Sequence, residues 1–213
     1  MKQLDFYFDA VSPFAYLAFE RLPQALQGLS YEVRYRPVLF AGLLQHWGQK
    51  GPAEIGPKRA WTYRQVAWLA QHHGIEFAMP AAHPFNPLGL LRLAWACADA
   101  GTPNRRVCEA VLRHAWRGGL AADDPARLAA LERELAPARD PRGDAVKAAL
   151  RAASDGAVAA GVFGVPTVSV DGRAFWGLDA LPMLAACLRG EPWFDGPAWE
   201  AAAATPEGVQ RRR

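Results

Sequence analysis

The first 26 residues constrain the fold more than any other part of the chain. Leu4, Phe6 and Phe8 alternate with more polar residues, which predicts a β-strand with one strongly apolar face. Over Phe14–Leu26, apolar residues recur every three or four positions, as on the buried face of an α-helix. The strand is therefore predicted to lead directly into a helix, with Ser12-Pro13 at the junction.

Ser12 allows two interpretations. Serine is a preferred helix N-cap and proline a common first helical residue, so Ser12 can be a cap and nothing else. A hydroxyl at this place also lies beside unpaired N–H groups and the positive end of the helix dipole. There it can donate a hydrogen bond to a bound anion such as a thiolate. The Ser-Pro pair alone does not decide between the two.

Length and cysteine content limit the class of protein. The chain has 213 residues, 51% of them hydrophobic, which is enough for a stable core without disulfides. Its three cysteines, Cys97, Cys108 and Cys187, are widely spaced and form no C-x-x-C pair, so they indicate neither a zinc site nor a redox dithiol. The first strand leaves no room for a signal peptide, and no apolar run reaches the ~18 residues of a membrane span. We expect a cytoplasmic protein without a membrane partner.

The charge of the chain argues against nucleic-acid binding. Three of the 24 basic residues are the C-terminal arginines 211–213, and the other 21 balance the 21 acidic residues, which accounts for the net charge of +3. A neutral body has no basic face for phosphates. Residues 201–213 are predicted to be a flexible tail.

The order of the remaining elements predicts the architecture. A second strand, Tyr31–Pro37, completes a strand, helix, strand unit, which is expected to be right-handed and parallel. Strands Thr167–Val170 and Arg173–Trp176 flank Asp171-Gly172, a strong hairpin signal, and the helix Leu178–Arg189 follows them. Between these two parts the sequence predicts five helices: Lys58–His73, Leu88–Ala100, Pro103–Arg117, Asp124–Leu135 and Asp144–Ala160.

This order, βαβ then helices then ββα, indicates an α/β fold. Residues 1–40 and 161–200 are predicted to form one domain, and residues 41–160 an all-helical subdomain inserted into it.

The stretch before the hairpin contains a second candidate site. Pro166 cannot donate a ladder hydrogen bond, so it must border the sheet. We predict that the Val165–Pro166 bond is cis, which would turn the N–H and C=O groups of Val165 outward to pair with an extended, peptide-like ligand. A trans proline that simply enters the strand is the alternative.

Four stretches carry a resemblance to known families. FYFDAVSPFAYLA, RPVLFAGLL, GVFGVPT and FWGLDAL, in this order, resemble the 2-hydroxychromene-2-carboxylate isomerases and the kappa-class glutathione transferases, which share a DsbA-like thioredoxin fold. The resemblance runs from about Leu4 to about Leu188. Ser12 stands where the redox members have the first cysteine of C-x-x-C. The resemblance implies a thioredoxin-like fold with the helical insertion and a glutathione-dependent enzyme. We also expect a homodimer.

The resemblance also implies roles for individual residues. Ser12 would hydrogen-bond the glutathione sulfur and favour its thiolate, while Val165, before Pro166, would pair with the cysteinyl backbone. Asp179 would bind the γ-glutamyl end with help from N–H groups near Leu178, with a plain N-cap role as the alternative. Lys58 would lie against glutathione, or else be a solvated lysine in a first helical turn.

The chain also departs from the family pattern. Gln49 stands near the place of an asparagine that contacts glutathione in relatives, so that contact is missing or is made by Gln49. For the substrate, Phe14 and Phe85 could wall an apolar pocket. Asn86 could orient the substrate, although asparagine there is also a typical turn or cap residue. His83 is interpreted as a loop histidine.

The implied reaction is a cis-trans isomerisation in aromatic-compound degradation, such as 2-hydroxychromene-2-carboxylate to hydroxybenzylidenepyruvate. The thiolate adds to the substrate, a single bond rotates, and elimination returns glutathione unchanged. The partner would be a small aromatic keto acid or a related electrophile. A conjugating transferase and a non-catalytic binding module are the alternatives. Thiol-disulfide exchange is disfavoured, because no cysteine lies near Ser12.

Overall fold

A computed structural model describes residues 1–98, 101–206 and 208. Four strands form one mixed sheet: β1 (Lys2–Phe8), β2 (Tyr31–Pro37), β3 (Thr167–Val170) and β4 (Arg173–Trp176). Their order is β2-β1-β3-β4. β1 and β2 are parallel, whereas β3 is antiparallel to both β1 and β4. This arrangement confirms the predicted βαβ and ββα units.

The described residues include nine α-helices, on both faces of the sheet. They are α1 (Pro13–Ala25), α2 (Phe40–His46), α3 (Gly56–His72), α4 (Leu88–Ala96), α5 (Arg105–Trp116), α6 (Pro125–Leu135), α7 (Asp144–Ala159), α8 (Leu181–Leu188) and α9 (Pro197–Ala203). Two short 3-10 turns occupy Pro52–Glu54 and Pro192–Asp195. The sequence did not predict α2 or α9, because seven residues carry too little periodicity to identify a helix.

Three helices begin at side chains that cap them. Ser12, Asn104 and Asp124 accept hydrogen bonds from backbone N–H groups in the first turns of α1, α5 and α6. The predicted helix Leu88–Ala100 is shorter than expected, since α4 ends at Ala96. Residues 99 and 100 lie outside the described residues.

The core lies on both sides of β1. On one face, Leu4, Phe6 and Phe8 are fully buried against α1 and the helices between residues 41 and 160, called the helical block below, as the alternation predicted. On the other face, Tyr7 packs in a smaller cluster with Val165 and residues of α2 and α7. The end of β1 is therefore covered from both sides, and the residues that follow it start from a fixed position.

The C-terminal segment is described only in part. α9 includes Ala201–Ala203 of the predicted tail, while residues 207 and 209–213 lie outside the described residues. None of the helices within the described ranges is both long and apolar enough to span a membrane.

Candidate functional site

Ser12 lies at the start of α1 with little exposure to solvent. Its side chain is the N-cap: the Ala15 N–H donates to Ser12 Oγ over 3.2 Å. Ser12 Oγ also lies 3.4 Å from the carbonyl oxygen of Val165, to which it donates. The residue is only 7% exposed. Ser12 therefore caps α1. Its hydroxyl also donates its proton to the loop that contains Val165, which is distant in sequence.

That distant loop is the one predicted from the proline. The Val165–Pro166 bond is cis, which confirms the prediction. The Thr167 hydroxyl closes the loop with a 2.7 Å hydrogen bond to the carbonyl of Gly164. The Pro166 carbonyl accepts from the N–H of Gly177, at 2.9 Å. The loop is therefore fixed from both sides, with Val165 facing Ser12.

Backbone groups around Ser12 and Val165 suit an extended, thiol-bearing peptide. Among the described residues, no acceptor is hydrogen-bonded to the N–H of Val165, and the Val165 carbonyl receives only the long bond from Ser12. The first-turn N–H of Phe14 likewise has no acceptor within the described part of the chain. A free N–H, a carbonyl with a single long hydrogen bond and a helix N-terminus are the groups that would pair with a peptide unit and a nearby thiolate.

The turn after β4 brings Asp179 toward the same loop. Gly177 has φ +100°, a conformation that favours glycine, and a Cβ there would overlap Asp179 Oδ1. Since Gly177 N–H binds Pro166, the Asp179 carboxylate stands one short turn away from the cis-proline loop. α8 has Ala180 as its N-cap and no side-chain capping bond, so Asp179 does not cap this helix. Its exposed carboxylate is available to a cation. Leu178 lies half-buried on the core.

The loop that contains Gln49 approaches the same side. The indole N–H of Trp47, at the end of α2, donates to the carbonyl of Val162 over 3.0 Å. Gln49 itself is exposed, and its N–H donates to Leu44 O at 2.9 Å. The two loops are thus joined, and the Gln49 side chain extends from this junction into solvent.

Lys58 lies in the first turn of α3, which contains no acidic residue. A cation at this end of a helix faces the positive pole of the dipole, so the position is unfavourable without an anionic partner. Lys58 is exposed, and α3 packs against α1. Lys58 therefore lies on a helix that contacts α1, the helix that begins at Ser12.

The three predicted substrate residues differ in accessibility. Phe14, next to Pro13, is half-buried at the beginning of α1. Phe85 is only 7% exposed, and its ring packs against Trp116 at 6.2 Å between centroids. Asn86 Oδ1 accepts from the N–H of Leu88 at 3.1 Å, as a residue of a helix-initiating turn does. Asn86 is exposed, Phe14 is half-buried and Phe85 is buried, so Asn86 is the most accessible of the three.

Asp9 is a component of the site that sequence reasoning missed. Its side chain is fully buried, and its two carboxyl oxygens accept from the N–H groups of Val11, at 3.0 Å, and Phe40, at 2.8 Å. It thereby connects the turn before Ser12 to the start of α2. Burial raises the pKa of Asp9 from 3.8 to about 7, against the two hydrogen bonds, which lower it. The sequence feature that could have identified Asp9 is an acidic residue directly after a buried strand.

We expect the Asp9→Asn variant to alter how stability depends on pH. Because the pKa is higher in the folded state, at about 7, than the ordinary 3.8, folded protein retains a proton that unfolded protein has lost. The stabilisation from protonated Asp9 is present below pH ~4 and is lost as the pH rises toward ~7, by up to about 1.4 kcal/mol per pH unit. Urea denaturation of both proteins across this window should show the wild type losing stability relative to the variant. A difference that does not change with pH would contradict the shift.

Comparisons with known proteins agree with the fold described above. Residues 3–189 match the model of the DSBA-like thioredoxin domain family. A 2-hydroxychromene-2-carboxylate isomerase of Sphingobium xenophagum is 28% identical over 198 residues, which cover 88% of this chain and 98% of that protein. Glutathione S-transferase kappa 2 of Caenorhabditis elegans is 28% identical over 221 residues, covering 93% and 96% of the two chains.

A solved structure agrees as well. The structure of a 2-hydroxychromene-2-carboxylate isomerase superposes with a TM-score of 0.77 at 24% identity, covering 95% of this chain and 100% of the other. This likeness supports the fold. Within the described ranges, no three histidine, cysteine or carboxylate side chains are grouped to hold a metal ion. The family match covers most of the chain and includes Ser12, the cis-proline loop and the turn of Asp179, so the chain belongs to the DsbA-like thioredoxin domain family.

Proposed function

We propose that the protein is a glutathione-dependent cis-trans isomerase of an aromatic-degradation intermediate such as 2-hydroxychromene-2-carboxylate. One observation carries the proposal: the Ser12 hydroxyl, at the N-terminus of α1, lies 3.4 Å from the carbonyl of Val165 beside the cis Pro166. A serine with no cysteine beside it cannot exchange disulfides, but it can stabilise a thiolate that a ligand brings.

The polar groups at the site match the functional groups of a thiol tripeptide. The Ser12 hydroxyl and the first turn of α1 face the position of a sulfur, and the N–H and C=O of Val165 offer one β-type pairing. Asp179 offers a carboxylate to an ammonium group. A γ-glutamyl-cysteinyl ligand carries a thiol, a peptide unit and an ammonium, one for each of these groups. Lys58 and Gln49 would complete the contacts from the α3 and α2 sides.

Bound glutathione would supply the nucleophilic thiolate that adds to the electrophilic carbon of the substrate and is afterwards released unchanged. Ser12 would redirect its proton from Val165 O to the sulfur and so lower the thiol pKa. The helix dipole acts in the same direction. The low exposure of Ser12 keeps water away from this charge, which strengthens both effects. Phe14, Phe85 and Asn86 would receive the aromatic part of the substrate.

The names of the relatives support glutathione chemistry but allow two outcomes. The isomerase relative and the kappa transferase relative are equally similar to this chain, at 28% identity each. Conjugation of glutathione to an electrophile is therefore the second candidate function. Reduced glutathione belongs to reducing compartments, and accordingly we keep the cytoplasmic location as part of the proposal. We also propose that the protein is a homodimer, which light scattering would test.

Reduced glutathione is expected to stabilise the protein against heat. A ligand at one hundred times its Kd adds about 2.7 kcal/mol to the free energy of unfolding. For a chain of this size, that shift raises Tm by roughly 5–10 °C. A thermal-shift titration measures it, with oxidised glutathione as the control. An unchanged Tm at millimolar glutathione would contradict the cofactor assignment.

The reaction is tested by following a chromene-2-carboxylate by ultraviolet absorbance with substoichiometric glutathione, while free thiol is titrated in parallel. Complete conversion without loss of thiol is expected for the isomerase. Conversion that stops when the supplied thiol is consumed would instead show a transferase. If glutathione binds but no chromene-type substrate is converted, the isomerase proposal fails.

A further inference from the structure

Two ring N–H groups from the helical block hold the turn that precedes Ser12. The indole N–H of Trp116, on α5, donates to the carbonyl of Ala10 at 2.8 Å. Nε2 of His83 lies 2.8 Å from the carbonyl of Val11. Ala10 and Val11 form the turn between β1 and α1, so both carbonyls of this turn are bound by side chains distant in sequence.

The partners of His83 determine which of its nitrogens carries the proton. A carbonyl oxygen can only accept, so Nε2 must be the N–H that faces Val11. Nδ1 then accepts from the hydroxyl of Tyr63, on α3, at 2.7 Å, and the His83 carbonyl, at 3.0 Å, is a second acceptor for the same hydroxyl proton. Burial lowers the pKa of His83, only partly opposed by its hydrogen bond to Val11, and so keeps the ring neutral. The Val11 carbonyl therefore selects the tautomer, and the Tyr63 hydroxyl supports it by donating to Nδ1.

This hydrogen bond controls the peptide group that leads into Ser12. The Val11 carbonyl and the Ser12 N–H belong to the same planar unit. His83 holds its oxygen, and the Asp9 carbonyl accepts from its N–H at 3.0 Å. The plane is thus fixed at both ends, and the direction of the Ser12 side chain with it. The hydrogen bonds of Ser12 Oγ itself, at 3.2 and 3.4 Å, are long and cannot orient the residue alone.

We propose that His83, as the Nε2–H tautomer selected by the Val11 carbonyl and supported by Tyr63, is a positioning residue that aims the Ser12 hydroxyl through that carbonyl. This inference rests on the proposed role of Ser12 toward a thiolate. His83 is not placed to touch the thiol, because its donor nitrogen is already bound to Val11. Its effect is on the geometry of the donor that does, and small misplacements of such a donor slow catalysis strongly.

Three variants test the proposal. His83→Leu removes the donor to Val11, His83→Gln retains an N–H at a similar reach, and Tyr63→Phe removes the hydroxyl that donates to Nδ1. His114→Leu is the matched control, since Nε2 of His114 binds the Ala122 carbonyl at 3.1 Å and burial lowers its pKa too.

With the wild type, histidine 15N spectra should show His83 as the Nε2–H tautomer. Tyr63→Phe should shift the Nδ1 resonance, because Nδ1 loses its hydrogen bond, while the Nε2–H tautomer persists. With glutathione bound, His83→Leu should raise the thiol pKa and lower kcat by about ten- to a hundredfold, while KM changes little. His83→Gln should recover most of this loss, and His114→Leu should match the wild type.

The proposal is overturned if the 15N spectrum shows Nδ1–H in the wild type, or if folded His83→Leu retains the wild-type thiol pKa and kcat. A wild type that binds no glutathione would refute the proposed function by itself. In that case, hydrogen exchange of the Ser12 amide still decides the role of His83: faster exchange in His83→Leu than in His83→Gln supports it, and equal exchange refutes it.

Discussion

Ser12→Ala should slow glutathione-dependent turnover by about a hundredfold or more and raise the thiol pKa of the bound cofactor. The hydroxyl is the donor directed toward the sulfur, and loss of one donor from a buried, charge-stabilising site has an effect of this order. Ser12 is 7% exposed, so water does not readily replace the lost group. Turnover between pH 6 and 9 and thiolate absorbance of the complex measure the two effects.

The same substitution removes a helix cap, which costs about 1 kcal/mol of stability. Asn104→Ala is the matched control, because Asn104 caps α5 in the same way, with Val107 N–H donating over 3.0 Å, and lies outside the site. It should lose comparable stability and no activity. Ser12→Thr, which keeps a hydroxyl and the cap, should recover much of the rate. If Ser12→Ala keeps full turnover across this pH range, Ser12 is a cap only.

Asp179→Asn should weaken glutathione binding by roughly ten- to a hundredfold. The carboxylate would form a charge-assisted hydrogen bond with the γ-glutamyl ammonium, and such bonds contribute about 1.5–3 kcal/mol. The variant keeps the shape of the side chain and removes its charge. Isothermal titration with reduced glutathione measures the affinity, and kcat at saturation should change much less.

Two further variants separate charge from position in this turn. Gly177→Ala leaves the carboxylate intact but displaces it, because the added Cβ would overlap Asp179 Oδ1 and φ is +100°. It should weaken binding as well. Asp171→Asn removes an exposed hairpin carboxylate whose one ion pair among the described residues is with Lys2 of β1, and affinity should stay at the wild-type value. If Asp179→Asn and Asp171→Asn bind glutathione equally well, Asp179 has no part in the site.

The parts of the site that follow from local sequence were predictable. A strand leading into a Ser-Pro helix start placed Ser12 at an N-terminus, and a proline before a hairpin placed Val165 at the sheet border; both positions are as predicted. These features depend on backbone preferences of adjacent residues, which a single sequence displays.

The residues that support the site depend on long-range contacts and were not predictable. His83 is 72 residues from Val11, and Trp116 is 106 residues from Ala10. Nothing in the local pattern around His83 distinguishes a loop histidine from one that binds a turn. Asp9 continues the alternation of Asp5 and Tyr7 on the more polar face of β1, and strand alternation does not show that helices also cover that face.

The helical block is not a cassette that can be exchanged between relatives. Its rings from Trp116 and His83 complete the hydrogen bonding of a turn that belongs to the sheet portion. Deleting or replacing it would leave two carbonyls without partners, at about 1–3 kcal/mol each where they remain buried, against a total stability of about 5–15 kcal/mol. In a chimaera, the residues of the turn and the two rings that bind it must come from the same parent, and over evolutionary time they would be expected to change together.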